Sequence, residues 1–148
     1  MAIEVFKSTT KLTEGMRVEC TAREHQILLD EPKELGGTDT GMNPVEAVLS
    51  ALGACKCIVA RCFAKAHGVD IKDFKVEWEG DLDPDGFMGK NKEAKIGFSE
   101  IRSKIYIESN SPKEKIEEFV EFIDRTSPVA DTLANSPKLV TELTIDKK

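Results

Sequence analysis

The sequence predicts a single α+β domain over residues 1–148, in the order three strands, one long buried helix, two strands, two helices and a strand. Three observations carry this reading. Residues 43–67, NPVEAVLSALGACKCIVARCFAKAH, are apolar almost all the way round and lie between helix start and stop signals. Alternating or β-branched stretches flank them on both sides. Two Ser-Pro dipeptides, at 111–112 and 127–128, mark helix starts nearer the C-terminus.

Residues 2–9 and 16–29 read as three antiparallel strands, with a turn at Thr13-Glu14-Gly15. The aperiodic segment 30–42, with Gly36, Gly37 and Gly41, is a loop that delivers the chain to the helix. Asn43 suits the N-cap and Pro44 the first helical position. Glu46 stands where its carboxylate reaches back to the cap N–H, and Gly68 is the stop. No polar stripe wide enough for a surface helix exists between these signals, so the helix has to be buried. Strands follow around 73–82 and 95–109, joined by the turn-rich DPDGFMGKNKE. Val76, Trp78 and Gly80 alternate with charged residues, as do Ile101, Ile105 and Ile107. Ser111 with Glu114 forms a capping box for an amphipathic helix to about Arg125, whose apolar face is Ile116, Phe119, Val120 and Ile123. Ser127-Pro128 opens a short helix, and 139–145, LVTELTI, is a last strand.

A helix of about 23 residues is roughly 34 Å long. One chain of this size has little material to wrap it on every face. A homodimer in which each partner helps to bury the other's helix is the economical solution.

The net charge of −6 provides no basic face for phosphates, which argues against nucleic acid. Lys56 and Arg61 break the longest helix, so no membrane span is expected. The first residues carry no charged-then-apolar signal pattern, and a cytoplasmic location is expected. Four cysteines, at 20, 55, 57 and 62, are too few and too clustered for a disulfide framework and read as thiols.

Cys55 and Cys57 point about 200° apart on a helix, and Cys55 and Cys62 are separated by roughly 10 Å along its axis, too far to bridge. The only histidines are His25 and His67 and no CxxC is present, so neither a metal nor another cofactor is expected. Taken alone, each helix cysteine is a small buried hydrophobe. Lys56 and Arg61 read as snorkelling side chains at a dimer edge.

The run Pro32-Lys33-Glu34-Leu35-Gly36-Gly37, then Asn43-Pro44, Ala51-Leu52-Gly53-Ala54-Cys55 and Ser127-Pro128-Val129-Ala130-Asp131-Thr132-Leu133, resembles the OsmC/Ohr family of osmotically inducible and organic hydroperoxide resistance proteins. The resemblance spans nearly the whole chain. It implies an intertwined α+β homodimer and a cysteine-based peroxidase, with Cys55 at the position of the peroxidatic cysteine. It also implies an activating arginine from the first hairpin, for which Arg17 is the best candidate and Arg23 the second, the two sharing one face of an alternating strand. A thiolate peroxidase needs such a positive group.

Two departures from the family pattern matter. Ser127 stands where the family has its resolving cysteine, and Val45 stands where a glutamate follows Asn-Pro, the acid falling instead at Glu46. That shift turns a carboxylate by about 100° around the helix. Glu46 is therefore either a cap partner or a carboxylate that orients the arginine. Ser127 serves equally as a plain N-cap.

The resulting expectation is thiol-dependent reduction of organic hydroperoxides by Cys55, with Arg17 and Glu46 in support. Reducing equivalents would come from an external thiol or dithiol, or from Cys20, Cys57 or Cys62. The rival readings are a non-enzymatic binding module for a small lipid-like ligand and a redox sensor that signals through oxidised Cys55.

Overall fold

The computed structural model describes residues 2–147 as an α+β chain that divides into two compact units, one up to Ala51 and one from Leu52 onward. The first unit holds β1 (Thr9–Leu12), β2 (Val18–Ala22) and β3 (His25–Leu29), an antiparallel sheet in that order. Thr9 faces Thr21, and Cys20 faces Ile27. The expected turn at Thr13-Glu14-Gly15 is present: Arg17 N–H donates to the Glu14 carbonyl at 3.0 Å, and Gly15 has φ 61°. β2 ends at Ala22, and Arg23 sits in the following turn with φ 55°. Arg17 and Arg23 therefore do not share one alternating strand. β1 also starts later than expected. With Thr9 opposite Thr21, residues 2–7 run past the end of β2 and find no ladder partner among the described residues.

The loop after β3 is organised by Asp30, which is 1% exposed. Its carboxylate accepts from the hydroxyls of Thr38 and Thr40, from their backbone N–H groups and from that of Glu31. A single 3-10 turn spans Lys33–Leu35. A side chain at Gly37 would run into the backbone of Glu31, so this loop closes only with glycine there. At the end of the loop the reciprocal cap forms as expected: Asn43 N–H donates to Glu46 and Glu46 N–H to the Asn43 side chain, each at 2.9 Å. This cap opens α1 (Pro44–Phe63).

In the second unit α1 is followed by a turn that stops at Gly68, φ 67°. Gly68 N–H donates to the Lys65 carbonyl and Val69 N–H to that of Ala64, the bond pair of a Schellman ending. Ala64 and Val69, the hydrophobic partners of that ending, are both buried. β4 (Asp73–Asp81) and β5 (Glu100–Glu108) pair antiparallel from Asp73 opposite Glu108 to Asp81 opposite Glu100. Their inward residues are Phe74, Val76, Trp78 and Gly80 on one strand and Ile101, Ile105 and Ile107 on the other, the expected alternation. The connection contains a short helix not expected from its turn-rich sequence, α2 (Pro84–Phe87), capped by Asp83, which accepts from Asp85 N–H. Two helices follow, α3 (Lys113–Thr126) and α4 (Pro128–Ala134). The core joins Val59, Ala60, Ala64 and Val69 to Phe119 and Ile123 of α3, with Phe74 and Ile107 of the sheet packed against it.

Two expectations are corrected. Ser111 does not cap α3: its hydroxyl accepts from Asp70 N–H at 2.9 Å, and α3 begins without a side-chain cap. Ser111 is drawn to the turn before β4, and Pro112 takes the cap position of α3. Residues 139–145 form no ladder among the described residues, and Leu139, Val140, Leu143 and Ile145 are exposed. As expected from its length, α1 is not buried all round by one chain. Leu52, Gly53, Lys56, Val59 and Ala60 are buried, while Val45, Val48, Ile58 and Phe63 are exposed. The sheet and helices of one subunit cover one stripe.

The Thr38 hydroxyl, with those of Thr40 and the surrounding N–H groups, holds the Asp30 carboxyl well below its usual range, outweighing burial, which alone would push it up. A depressed carboxyl stabilises the fold above the unfolded aspartate's range of about 4, and that contribution fades as pH falls toward the folded group's lower range. Asp30→Asn should therefore lower the thermal midpoint most at pH 7, and the gap to wild type should narrow below about pH 4. A gap independent of pH would contradict this account.

Candidate active site

Cys55 lies on the face of α1 that meets the core of the second unit, half-buried and packed against the cluster built around Phe119 and Ile123. The Ser127 hydroxyl donates to its sulfur at 3.1 Å. Ser127 is 1% exposed and occupies the junction of two helices. Its backbone N–H donates to the Ile123 carbonyl at the end of α3, and its Oγ accepts from Ala130 N–H at the start of α4. The expected cap is thus formed, and the same hydroxyl also reaches the thiol. That second contact is invisible in the sequence, because 72 residues separate the two.

The remaining cysteines are dispersed. Cys20 and Cys57 are half-buried, Cys62 is exposed, and all four are free thiols, as the helical geometry requires for the three on α1. Burial pushes the Cys57 thiol up. Glu46 serves the cap described above, and its neighbour Val45 is exposed. Arg17 is half-buried, and its Nε is enclosed without a hydrogen-bond partner among the described residues.

Lys56 overturns the expectation of a snorkelling side chain. The residue is 7% exposed, its ammonium lies 2.7 Å from Asp124 Oδ1, and it sits 5.0 Å from the centre of the Trp78 ring. The signal was present in the sequence: Lys56 falls four residues after Leu52 and three to four before Val59 and Ala60, within the buried stripe. Arg61, off that stripe, is exposed as expected. Trp78 lies directly over α1, where a Cβ on Gly53 would stand 2.6 Å from the indole nitrogen. Lys56 and Trp78, with Leu52, Phe98, Ile101 and Leu133, help line an open cavity of about 310 Å³. A larger depression, about 460 Å³, surrounds Arg61, Lys65 and Asp70, and no cysteine lines it.

The fold finds its counterparts among known proteins. The profile of the family described as OsmC-like protein matches residues 37–142, more than half of the chain, and the chain belongs to that family. It is 26% identical over 129 residues to a hydroperoxide reductase of Mycoplasma genitalium, covering 86% of each chain. It is 27% identical over 135 residues to a hydroperoxide reductase of Mycoplasma pneumoniae, covering 90% of each. The crystal structure of an OsmC-like protein from Mycoplasma pneumoniae superposes with a TM-score of 0.79 at 26% identity, over 90% of this chain and 89% of that one.

The Lys56–Asp124 pair is lopsided: the lysine side chain is 9% exposed and the carboxylate 51%. Removing the acid strands a buried ammonium, whereas removing the lysine leaves a carboxylate that water reaches. Asp124→Asn should therefore cost about 1–3 kcal/mol in urea unfolding, and Lys56→Met should stay within about 1 kcal/mol of wild type. Equal losses in the two variants would contradict the asymmetry.

Proposed function

We propose that this chain reduces organic hydroperoxides, with Cys55 as the attacking sulfur. The observation that carries the reading is the half-buried Cys55 thiol under a hydroxyl donor, in a member of the OsmC-like family whose Mycoplasma relatives are named hydroperoxide reductases. The thiolate attacks the terminal peroxide oxygen and the O–O bond breaks. The alkoxide leaves and takes a proton to become an alcohol, while sulfur, oxidised by two electrons, becomes a sulfenic acid. An external thiol condenses with that acid and releases water. A second thiol then cleaves the mixed disulfide and restores Cys55. The apolar surroundings of Cys55 favour an organic over an inorganic peroxide. We assign to Arg17 the positive charge that promotes thiolate attack. The place of Arg17 just before β2, in the hairpin from which the OsmC/Ohr resemblance implies an activating arginine, supports that assignment.

Consumption of cumene hydroperoxide with monothiol and dithiol reductants in parallel tests the reading. Wild type should turn over, Cys55→Ser should not, and Arg17→Met should be slower by about 10-fold or more. After one equivalent of peroxide, mass spectrometry should find a trappable sulfenate on Cys55, and Ser127→Cys should convert it to an internal disulfide. Consumption that survives Cys55→Ser would exclude the mechanism. A wild type that only binds ligands would favour a binding module.

We further propose that the working form is a homodimer. Val45, Val48, Ile58 and Phe63 of α1 stand exposed in one chain, together with Ile3 and Phe6 near the N-terminus and Leu139, Val140, Leu143 and Ile145 near the C-terminus. Sedimentation should give twice the chain mass with no dissociation before unfolding. A stable folded monomer at low micromolar concentration would remove the proposal.

A further inference from the structure

Ser127 is more than the residue left where a resolving thiol is missing. We propose that its hydroxyl is a fixed hydrogen-bond donor to the Cys55 sulfur that stabilises the anionic forms of the site, the thiolate before oxygen transfer and the sulfenate after it. This rests on the reading of Cys55 as the reacting sulfur and assigns the regulation of that sulfur to a residue of the same chain.

The geometry sets the direction of the bond. A serine hydroxyl has one proton and two acceptor sites. One acceptor site of Ser127 Oγ takes Ala130 N–H at 3.3 Å, and the sulfur lies 3.1 Å away as the partner for the proton. An oxygen that accepts from an amide is polarised as a donor, and the chain from N–H through O–H to sulfur strengthens along its length. The oxygen is also held in place. The backbone of Ser127 is bonded to Ile123 on one side and Asp131 on the other, and the residue is 1% exposed, so no reorientation is needed when charge develops on sulfur. Alanine supplies neither bond. Cysteine would supply a weak donor and a weak acceptor, and it would condense with the sulfenic acid. A hydroxyl cannot form that disulfide, so the sulfenate it bonds stays open to an external thiol.

The test reads alkylation of Cys55 by iodoacetamide as a function of pH, followed on the Cys55 peptide by mass spectrometry in the full-length protein. Hydrogen bonds to charged groups are strong enough to move such a midpoint by about one to two pH units. The midpoint should rise by that amount in Ser127→Ala and return close to wild type in Ser127→Thr, which keeps the hydroxyl. Because alanine also removes the α4 cap, Ser127→Gly serves as the second variant. Glycine also lacks the Oγ that accepts from Ala130 N–H, but it is tolerated at an N-cap at little cost, so the donor is lost with the helix start nearly unharmed. Unmoved midpoints in folded Ser127→Ala and Ser127→Gly would overturn the proposal. Peroxide consumption with unmoved midpoints keeps the peroxidase reading and rejects the donor. Shifted midpoints in a protein that consumes no peroxide do the reverse.

Discussion

The contact on which the candidate site depends is the packing of α1 against α3. Val59 and Ala60 of α1, with Ala64 in the turn just after it, meet Phe119 and Ile123 of α3, the last two wholly buried. Small side chains on α1 admit the large ones of α3, as close packing demands. Cys55 stands one turn before Val59, and Ser127 one turn after Ile123. The distance between a thiol and a hydroxyl 72 residues apart is thus set by apolar side chains that take no part in chemistry. The α3–α4 junction completes this arrangement. A serine that ends one helix and caps the next has little freedom, which turns a packing contact into a directed hydrogen bond.

Electrostatics divides the same helix into two environments. Cys55 faces an apolar cluster and one hydroxyl. The next residue, Lys56, turned about 100° around the axis, faces an indole and a half-exposed carboxylate. A buried ammonium persists there because Asp124 neutralises it and the Trp78 ring supplies a negative face. The positive charge adjacent to the cysteine in sequence is therefore spent on its own partners.

Much of the fold was legible because its signals are local. The Asn43–Glu46 box, the Gly68 stop, the alternation of β4 and β5 and the apolar face of α3 all depend on residues within a few positions of one another. The corrections arise where a group had a distant competitor or no partner. Ser111 fits a capping box, yet the N–H of Asp70 claims its hydroxyl. Residues 2–7 and 139–145 have strand composition, but a strand also needs a neighbour to pair with, which composition does not supply. The apolarity of α1 was plain, whereas which side one subunit covers depends on where α3 and the sheet lie. Of the candidate site, Cys55 and the cap role of Ser127 were readable. Their mutual contact and the inward turn of Lys56 are products of tertiary packing.

The close approach of Trp78 to Gly53 sets a mechanical limit on the site. A helix packed through small apolar residues can slide along its axis at modest cost, as shear motions between packed helices do. Here the indole rests in the one notch on α1 that lacks a side chain, with Leu52 on one flank and Lys56 a turn beyond. Movement in either direction would drive the ring against a Cβ. The ring and the notch therefore act as a detent that fixes the height of α1 against the two-stranded sheet, and the thiol two residues beyond the notch inherits its elevation from a tryptophan it has no need to touch.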